Sequence, residues 1–156
     1  PEYWLNQAGK LWNGQEYNHP EKAIAYFSKA IELGDKNYET YNKRATAYYN
    51  MGQYRQAIED TGEAIRLKPD YFSAYNNRGN AYANLGEYRE AIDNYNKVLD
   101  MSPNNTEVYN NRGLLYLLQG KKEQGCRDLK RACELNNCDR LKEAQVKGYC
   151  PDNPEK

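Results

Sequence analysis

Apolar and small residues along this chain recur at spacings of three and four, break off, and then resume. From Tyr38 to Met51, the residues Tyr41, Ala45 and Tyr48 fall on one helical face. From Tyr54 to Leu67 a second face carries Ala57, Ile58, Thr61, Ala64 and Ile65. Gly52, between the two runs, suits a left-handed C-cap residue, and Pro69 blocks continuation of the second helix. The same arrangement returns with Gly86, Tyr88, Ala91, Ile92, Tyr95, Val98, Leu99 and Pro103. No segment alternates with the period of two that a half-buried strand requires. The predicted elements are therefore helices throughout, taken in pairs.

The pairs repeat every 34 residues. Tyr41, Tyr75 and Tyr109 are equivalent, as are Arg44, Arg78 and Arg112, then Tyr48, Tyr82 and Tyr116, and Gly52, Gly86 and Gly120. A fixed period of this length marks one supersecondary motif stacked on copies of itself. Stacked motifs leave a long continuous surface, and such surfaces bind other proteins. Small residues keep the period too: Ala45, Gly79 and Gly113 form one set, Ala57, Ala91 and Gly125 another. They stand where the helices of a pair cross, and a larger side chain there overpacks the crossing at about 1–3 kcal/mol.

With these residues in view, the chain resembles the tetratricopeptide-repeat family. The second copy carries that family's pattern through Tyr41, Ala45, Tyr48, Gly52, Tyr54, Ala57, Ala64 and Pro69, and the third through Tyr75, Gly79, Tyr82, Gly86, Tyr88, Ala91 and Pro103. The first matches through Trp4, Ala8, Leu11, Tyr17, Ala23, Phe27 and Ala30, with about three extra residues around Asn18 to Pro20 lengthening the turn between its helices. The fourth matches through Tyr109, Gly113, Tyr116, Gly120 and Ala132, and departs at Lys122, Gly125 and Asn137. The resemblance implies an all-α fold, a right-handed α-solenoid of antiparallel helix pairs. Its repeats span about 1–37, 38–71, 72–105 and 106–137, a capping helix spans about 139–147, and all lie in one domain over 1–150, followed by a disordered tail over 151–156. Caps of this kind keep repeat arrays soluble.

Composition narrows the function classes. Lys plus Arg and Asp plus Glu both number 22, so the formal net charge is zero. That argues against nucleic acid as a partner, because such binders carry a basic patch or a high pI. A mild basic excess between Lys121 and Lys147 reads as a solvated face. Sixteen tyrosines supply much of the core, each burying a large ring while its hydroxyl reaches the surface. No apolar run approaches the roughly 18 residues of a membrane span, so no membrane insertion is expected. The chain begins with Pro1 rather than Met, which fits a processed or excised part of a longer precursor.

All four cysteines lie in the last quarter: Cys126, Cys133, Cys138 and Cys150. Cys126 and Cys133 share a helix face, but at about 1.5 Å rise per residue they stand near 10 Å apart, beyond disulfide reach. A capping helix returning antiparallel to the last repeat helix brings Cys138 to Cys133 and Cys150 to Cys126. Disulfides Cys133–Cys138 and Cys126–Cys150 are the expected pairing. Zinc ligation and free thiols are the alternatives; the spacings contain no CxxC pair of the sort zinc sites use, and free buried thiols act as small apolar residues. If the disulfides form, the compartment is oxidising, meaning periplasmic, secreted or lumenal; otherwise the chain is cytoplasmic.

Catalytic chemistry is not indicated. The single histidine, His19, sits in a turn with no partner at a spacing that would make a triad or an acid–base pair. The segment GNAYANLG holds two helix glycines and is no phosphate loop. No metal and no cofactor are expected. Arg44 with Asp60 and Arg112 with Asp128, each 16 apart, suit ion pairs between helices, and Asn94 interrupts the series at Arg78.

The resemblance also points to a binding groove, since the first helix of each repeat lines the concave face in the family. The positions concerned are Asn42, Asn76 and Asn110; Asn6, Lys43, Asn77 and Asn111; Thr46, Asn80 and Leu114; and Tyr49, with Trp12, Asn13, Asn50 and Asn84 nearby. Asn offers both a donor and an acceptor, so a ladder of Asn can hold the main chain of an extended peptide; the plainer reading has these side chains solvated, or those at the positions of Asn6, Lys43, Asn77 and Asn111 bonded within the scaffold. A variant of the family grips C-terminal carboxylates of chaperone tails. In its two registers this chain offers Asn42, Thr46, Asn77, Glu107 and Asn111, or Leu5, Gly9, Lys43, Ser73 and Asn77. Glu107 repels a carboxylate, so such tails are not expected ligands. The expected function is a non-catalytic scaffold that binds a protein or peptide partner. Self-assembly into a homo-oligomer, or service as the recruitment domain of a larger enzyme, are the alternatives.

Overall fold

A computed structural model describes residues 1–151. Most of the expected tail, from residue 152 on, lies outside the described residues. Within them the chain is all α, with no strand. The helices are α1 (Glu2–Gly9), α2 (Pro20–Glu32), α3 (Tyr38–Asn50), α4 (Tyr54–Leu67), α5 (Phe72–Asn84), α6 (Tyr88–Met101), α7 (Thr106–Leu118), α8 (Lys122–Glu134) and α9 (Asp139–Val146).

The turns inside the second, third and fourth repeats share one construction. Gly52, Gly86 and Gly120 adopt φ of 71°, 76° and 74°. At each, the amide two residues past the C-cap returns to a carbonyl near the helix end: Gln53 to Tyr48, Glu87 to Tyr82 and Lys121 to Tyr116. This is the Schellman closure, which satisfies carbonyls the helix leaves unpaired. Asn37 and Asn105 cap the N-termini of α3 and α7, accepting from the amides of Glu39 and Val108.

The chain divides into two compact units, Pro1–Asn94 and Tyr95–Lys156. In the first, Ala45 of α3, Ala57 of α4 and Ala81 of α5 pack together beneath Tyr48, Tyr49, Tyr54 and Ile58. A second cluster joins Ala8, Tyr17, Ala23, Phe27 and Ala47. In the second unit α7 and α8 cross at paired glycines. A Cβ on Gly125 would lie 2.8 Å from the Gly113 carbonyl oxygen and 2.7 Å from the Leu117 side chain. Helix α9 then covers α8 through Leu141 and Ala144, packed on Cys126 and Leu129.

The first repeat departs from expectation over more than its inserted residues. Helix α1 has 8 residues where α3, α5 and α7 have 13. Residues 10–19 form a loop in which Trp12 and Tyr17 make an isolated antiparallel bridge. Asn13 Oδ1 accepts the amides of Gln15 and Glu16 at 2.9 and 2.8 Å, and Gly14 turns at φ 101°. Side-chain capture of the backbone by Asn competes with helix here.

Candidate functional site

The first unit contains two neighbouring clefts that share Thr46. One, of about 540 Å³, has an apolar end of Leu5, Trp12, Tyr17 and Phe27 and a polar side that includes Asn42, Lys43, Thr46 and Tyr71. The other, of about 360 Å³, is lined by Gln15, Glu16, Thr46, Tyr49, Asn50, Asn77 and Asn80. Asn42, Thr46 and Tyr49 share one face of α3, as a spacing of four then three dictates. Trp12 reaches its cleft from the 10–19 loop, and Asn13 serves the turn of that loop.

Part of the Asn series bonds within the scaffold rather than facing outward. Asn77 Nδ2 donates to Asn42 Oδ1 at 3.0 Å and to Thr46 Oγ1 at 3.3 Å. Thr46 Oγ1 in turn donates to the Asn42 carbonyl at 3.1 Å. Asn42 is only 7% exposed, so it forms the floor of the cleft and anchors Asn77. With two acceptors on its Nδ2, Asn77 turns its Oδ1 away from them as an acceptor. Asn84, on the last turn of α5, donates to Tyr49 Oη at 2.8 Å. Lys43 is exposed and pairs with Glu39 at 3.5 Å. Burial pushes the Tyr71 hydroxyl above its usual pKa. Burial pushes Tyr17 further, to about 12.

The remaining residues of the expected set lie elsewhere. Asn76 keeps its Oδ1 buried without a hydrogen-bond partner among the described residues. On α7 of the second unit Asn110 does the same and is 7% exposed. Its neighbour Asn111 is partly buried. The second unit has a cleft of its own, about 410 Å³, between Leu114, Leu117 and Leu118 of α7 and Arg140, Glu143, Ala144, Lys147 and Tyr149 at the α9 end. Of its lining residues only Leu114 stands among the expected groove positions. The signal was present: Leu114, Leu117 and Leu118 stand where the second repeat has Thr46, Tyr49 and Asn50.

Arg44 and Arg112 belong to the scaffold. Arg44 holds Asp60 with two bonds of 2.7 Å and donates a third, of 3.0 Å, to Ser28. Arg112 repeats this with Asp128 at 2.7 and 2.8 Å and Asn96 at 2.6 Å. The first guanidinium lies over Tyr41 and Tyr48, the second over Tyr109 and Tyr116. Each arginine thereby ties its own helix pair to the helix before it. Burial pushes the Asp60 carboxyl above its usual range despite the adjoining guanidinium.

Cys126 meets Cys150 at disulfide distance with their Cα atoms 5.5 Å apart, and Cys133 meets Cys138 likewise. No cluster of ligating side chains suited to a metal occurs among the described residues. His19 is exposed and near Glu21. No helix among the described residues is long and apolar enough to cross a membrane.

Comparison with known proteins matches this geometry to one family. Models described as TPR repeat or tetratricopeptide repeat match residues 26–59, 46–86, 79–120 and 106–137. Outer envelope protein 64, a chloroplastic protein of Arabidopsis thaliana, is 43% identical over 51 residues, which make up 33% of this chain and 7% of that protein's length. A crystal structure of MamA superposes with a TM-score of 0.81 at 26% identity, covering 92% of this chain and 80% of that one. The first TPR of Spaghetti (RPAP3), bound to an HSP90 peptide, superposes with a TM-score of 0.69 at 25% identity, covering 76% of this chain and 94% of the other.

Proposed function

The chain belongs to the tetratricopeptide-repeat family, and from that premise we propose that it is a protein-interaction scaffold whose first unit holds an extended segment of a partner across the two clefts joined at Thr46. The observation that carries this reading is the Asn77 side chain. Its donors are fixed by Asn42 and Thr46, so its acceptor is presented at the second cleft in one orientation. A pre-oriented acceptor receives a main-chain N–H without the ordering cost of a free side chain. The apolar end formed by Leu5, Trp12 and Phe27 is then the place for a large side chain of the same segment. Asn80, Tyr49 and Lys43 border the path.

The domain in the Spaghetti protein binds an HSP90 peptide. Glu107, in the register of the carboxylate grip, repels a carboxylate, so we read this chain's partner as an internal segment rather than a chaperone tail. The reading is non-catalytic and involves neither nucleic acid nor cofactor. The cysteine pairs favour an oxidising compartment. The whole chain serves as one binding module in this reading, with α9 as its cap.

The test is partner recovery from the native host, comparing wild type with Trp12→Ala and with Asn77→Ala. Loss of the recovered partner with both variants is expected. Undiminished recovery would remove the clefts from the account.

A further inference from the structure

Arg78 belongs to a repeated set, and its station lacks what the other two contain. One period on from Asp60 stands Asn94, and one period on from Ser28 stands Gly62. Arg44 and Arg112 each meet a carboxylate with two bonds and a third side chain with another. Arg78 donates only its Nε, to Asn94 Oδ1 at 2.8 Å, and lies 5.4 Å from the Tyr75 ring centroid. Neither terminal nitrogen of Arg78 has a partner among the described residues. Asn94 gives its own amide to the Glu90 carbonyl at 2.8 Å and brings no charge. On the flanking helix the acid next to Gly62, Glu63, is held by Arg66.

The side chain of Arg78 is partly buried. A guanidinium so placed is partly withdrawn from water and has no ion-pair partner among the described residues, so a carboxylate brought to it would meet an uncompensated charge. Its planar fork matches a carboxylate bidentately. Space is available too: a Cβ built on Gly62 meets nothing within 4 Å. We propose that Arg78 is a carboxylate seat, taking an aspartate or glutamate side chain of a bound partner on the terminal nitrogens, over Gly62, where the other repeats carry Ser28 and Asn96. The seat is separate from the clefts at Thr46 and does not depend on how they are used.

The test follows the arginine Nε–H resonances by NMR while acetate replaces chloride at constant ionic strength. The Arg78 resonance should move saturably while those of Arg44 and Arg112 hold still. Asn94→Asp, which completes the ion pair from within, should abolish the movement, and Gly62→Ser, which restores the hydroxyl of Ser28, should weaken the response several-fold. The proposal is overturned if Arg78 does not move, if all three arginines move alike, or if Asn94→Asp responds as wild type does. A response to inorganic phosphate with none to acetate overturns the carboxylate assignment.

Discussion

Two glycine-to-alanine substitutions, each inside the second helix of a repeat, should change stability in opposite directions. The intrinsic effect is the same for both: Ala is favoured over Gly in a helix interior by about 0.8–1 kcal/mol. At Gly62 nothing lies within 4 Å of the added Cβ, so that gain should appear almost whole. At Gly125 the Cβ would lie 2.8 Å from a backbone oxygen and 2.7 Å from two carbons of Leu117. Leu117 can rotate, but the Gly113 carbonyl moves only if α7 and α8 separate. Overpacking of this kind costs about 1–3 kcal/mol. Set against the propensity gain, Gly125→Ala should destabilise by about 1–2 kcal/mol. For a chain of this length each kcal/mol moves Tm by about 2–4 °C. Thermal unfolding followed by circular dichroism reads both shifts, and hydrogen exchange locates the Gly125→Ala loss in α7 and α8, since repeats couple mainly to their neighbours. Shifts of the same sign would show that the glycine crossing does not set the α7–α8 distance.

Three further outcomes follow from the same contacts. Alkylation of the unreduced protein should label none of its four cysteines, and reduction should expose all four; closing the 24-residue separation of Cys126 and Cys150 is worth about 3 kcal/mol by loop entropy, so reduction should also lower Tm. Burial raises the folded-state pKa of Asp60 above its unfolded value, so its contribution is full below the ordinary carboxylate pKa of about 4 and is lost as pH rises through the folded value. Asp60→Asn, the residue that Asn94 already provides for Arg78, should flatten that fall in a urea-denaturation series over pH; an unchanged profile would assign the fall to other groups. Arg44→Lys cannot reproduce the fork that joins Asp60 and Ser28, and should destabilise by about 1–3 kcal/mol on loss of charge-assisted bonds; wild-type stability in urea would show that the bridge contributes little.

What could be read from the residues was whatever the period fixes locally. Gly52, Gly86 and Gly120 announced the turns because a left-handed C-cap excludes most other residues. Arg44 and Arg112 announced Asp60 and Asp128 because the antiparallel pair converts a spacing of 16 into adjacency. The early end of α1 was less legible. It depends on Asn13 capturing two backbone amides, a local competitor that the repeat pattern conceals. The burial of Asn42 and Asn110 was not legible at all. Their period places them on the groove-lining helix, but their depth is set by how closely the helices pack. The same holds for the leucine-lined cleft beside α9, whose signal was three apolar substitutions in a position class read as polar.

The inward bonds of the amide ladder bear on how such a surface recognises a partner. A solvated Asn offers donor and acceptor in many orientations, and a ligand must select one. Asn77 has that choice removed by Asn42 and Thr46, both on the neighbouring α3. Its contact with α3 is thus part of the packing between repeats and part of the presentation of an acceptor. In the proposed binding mode, the affinity of the first unit for an extended segment would be tied to the spacing of α3 and α5, where Ala45 and Ala81 share one cluster with Ala57. Small residues at the helix crossings and oriented amides at the clefts are consequences of the same close packing. In that mode, a substitution that widens the crossings should weaken binding without touching any residue proposed to meet the partner.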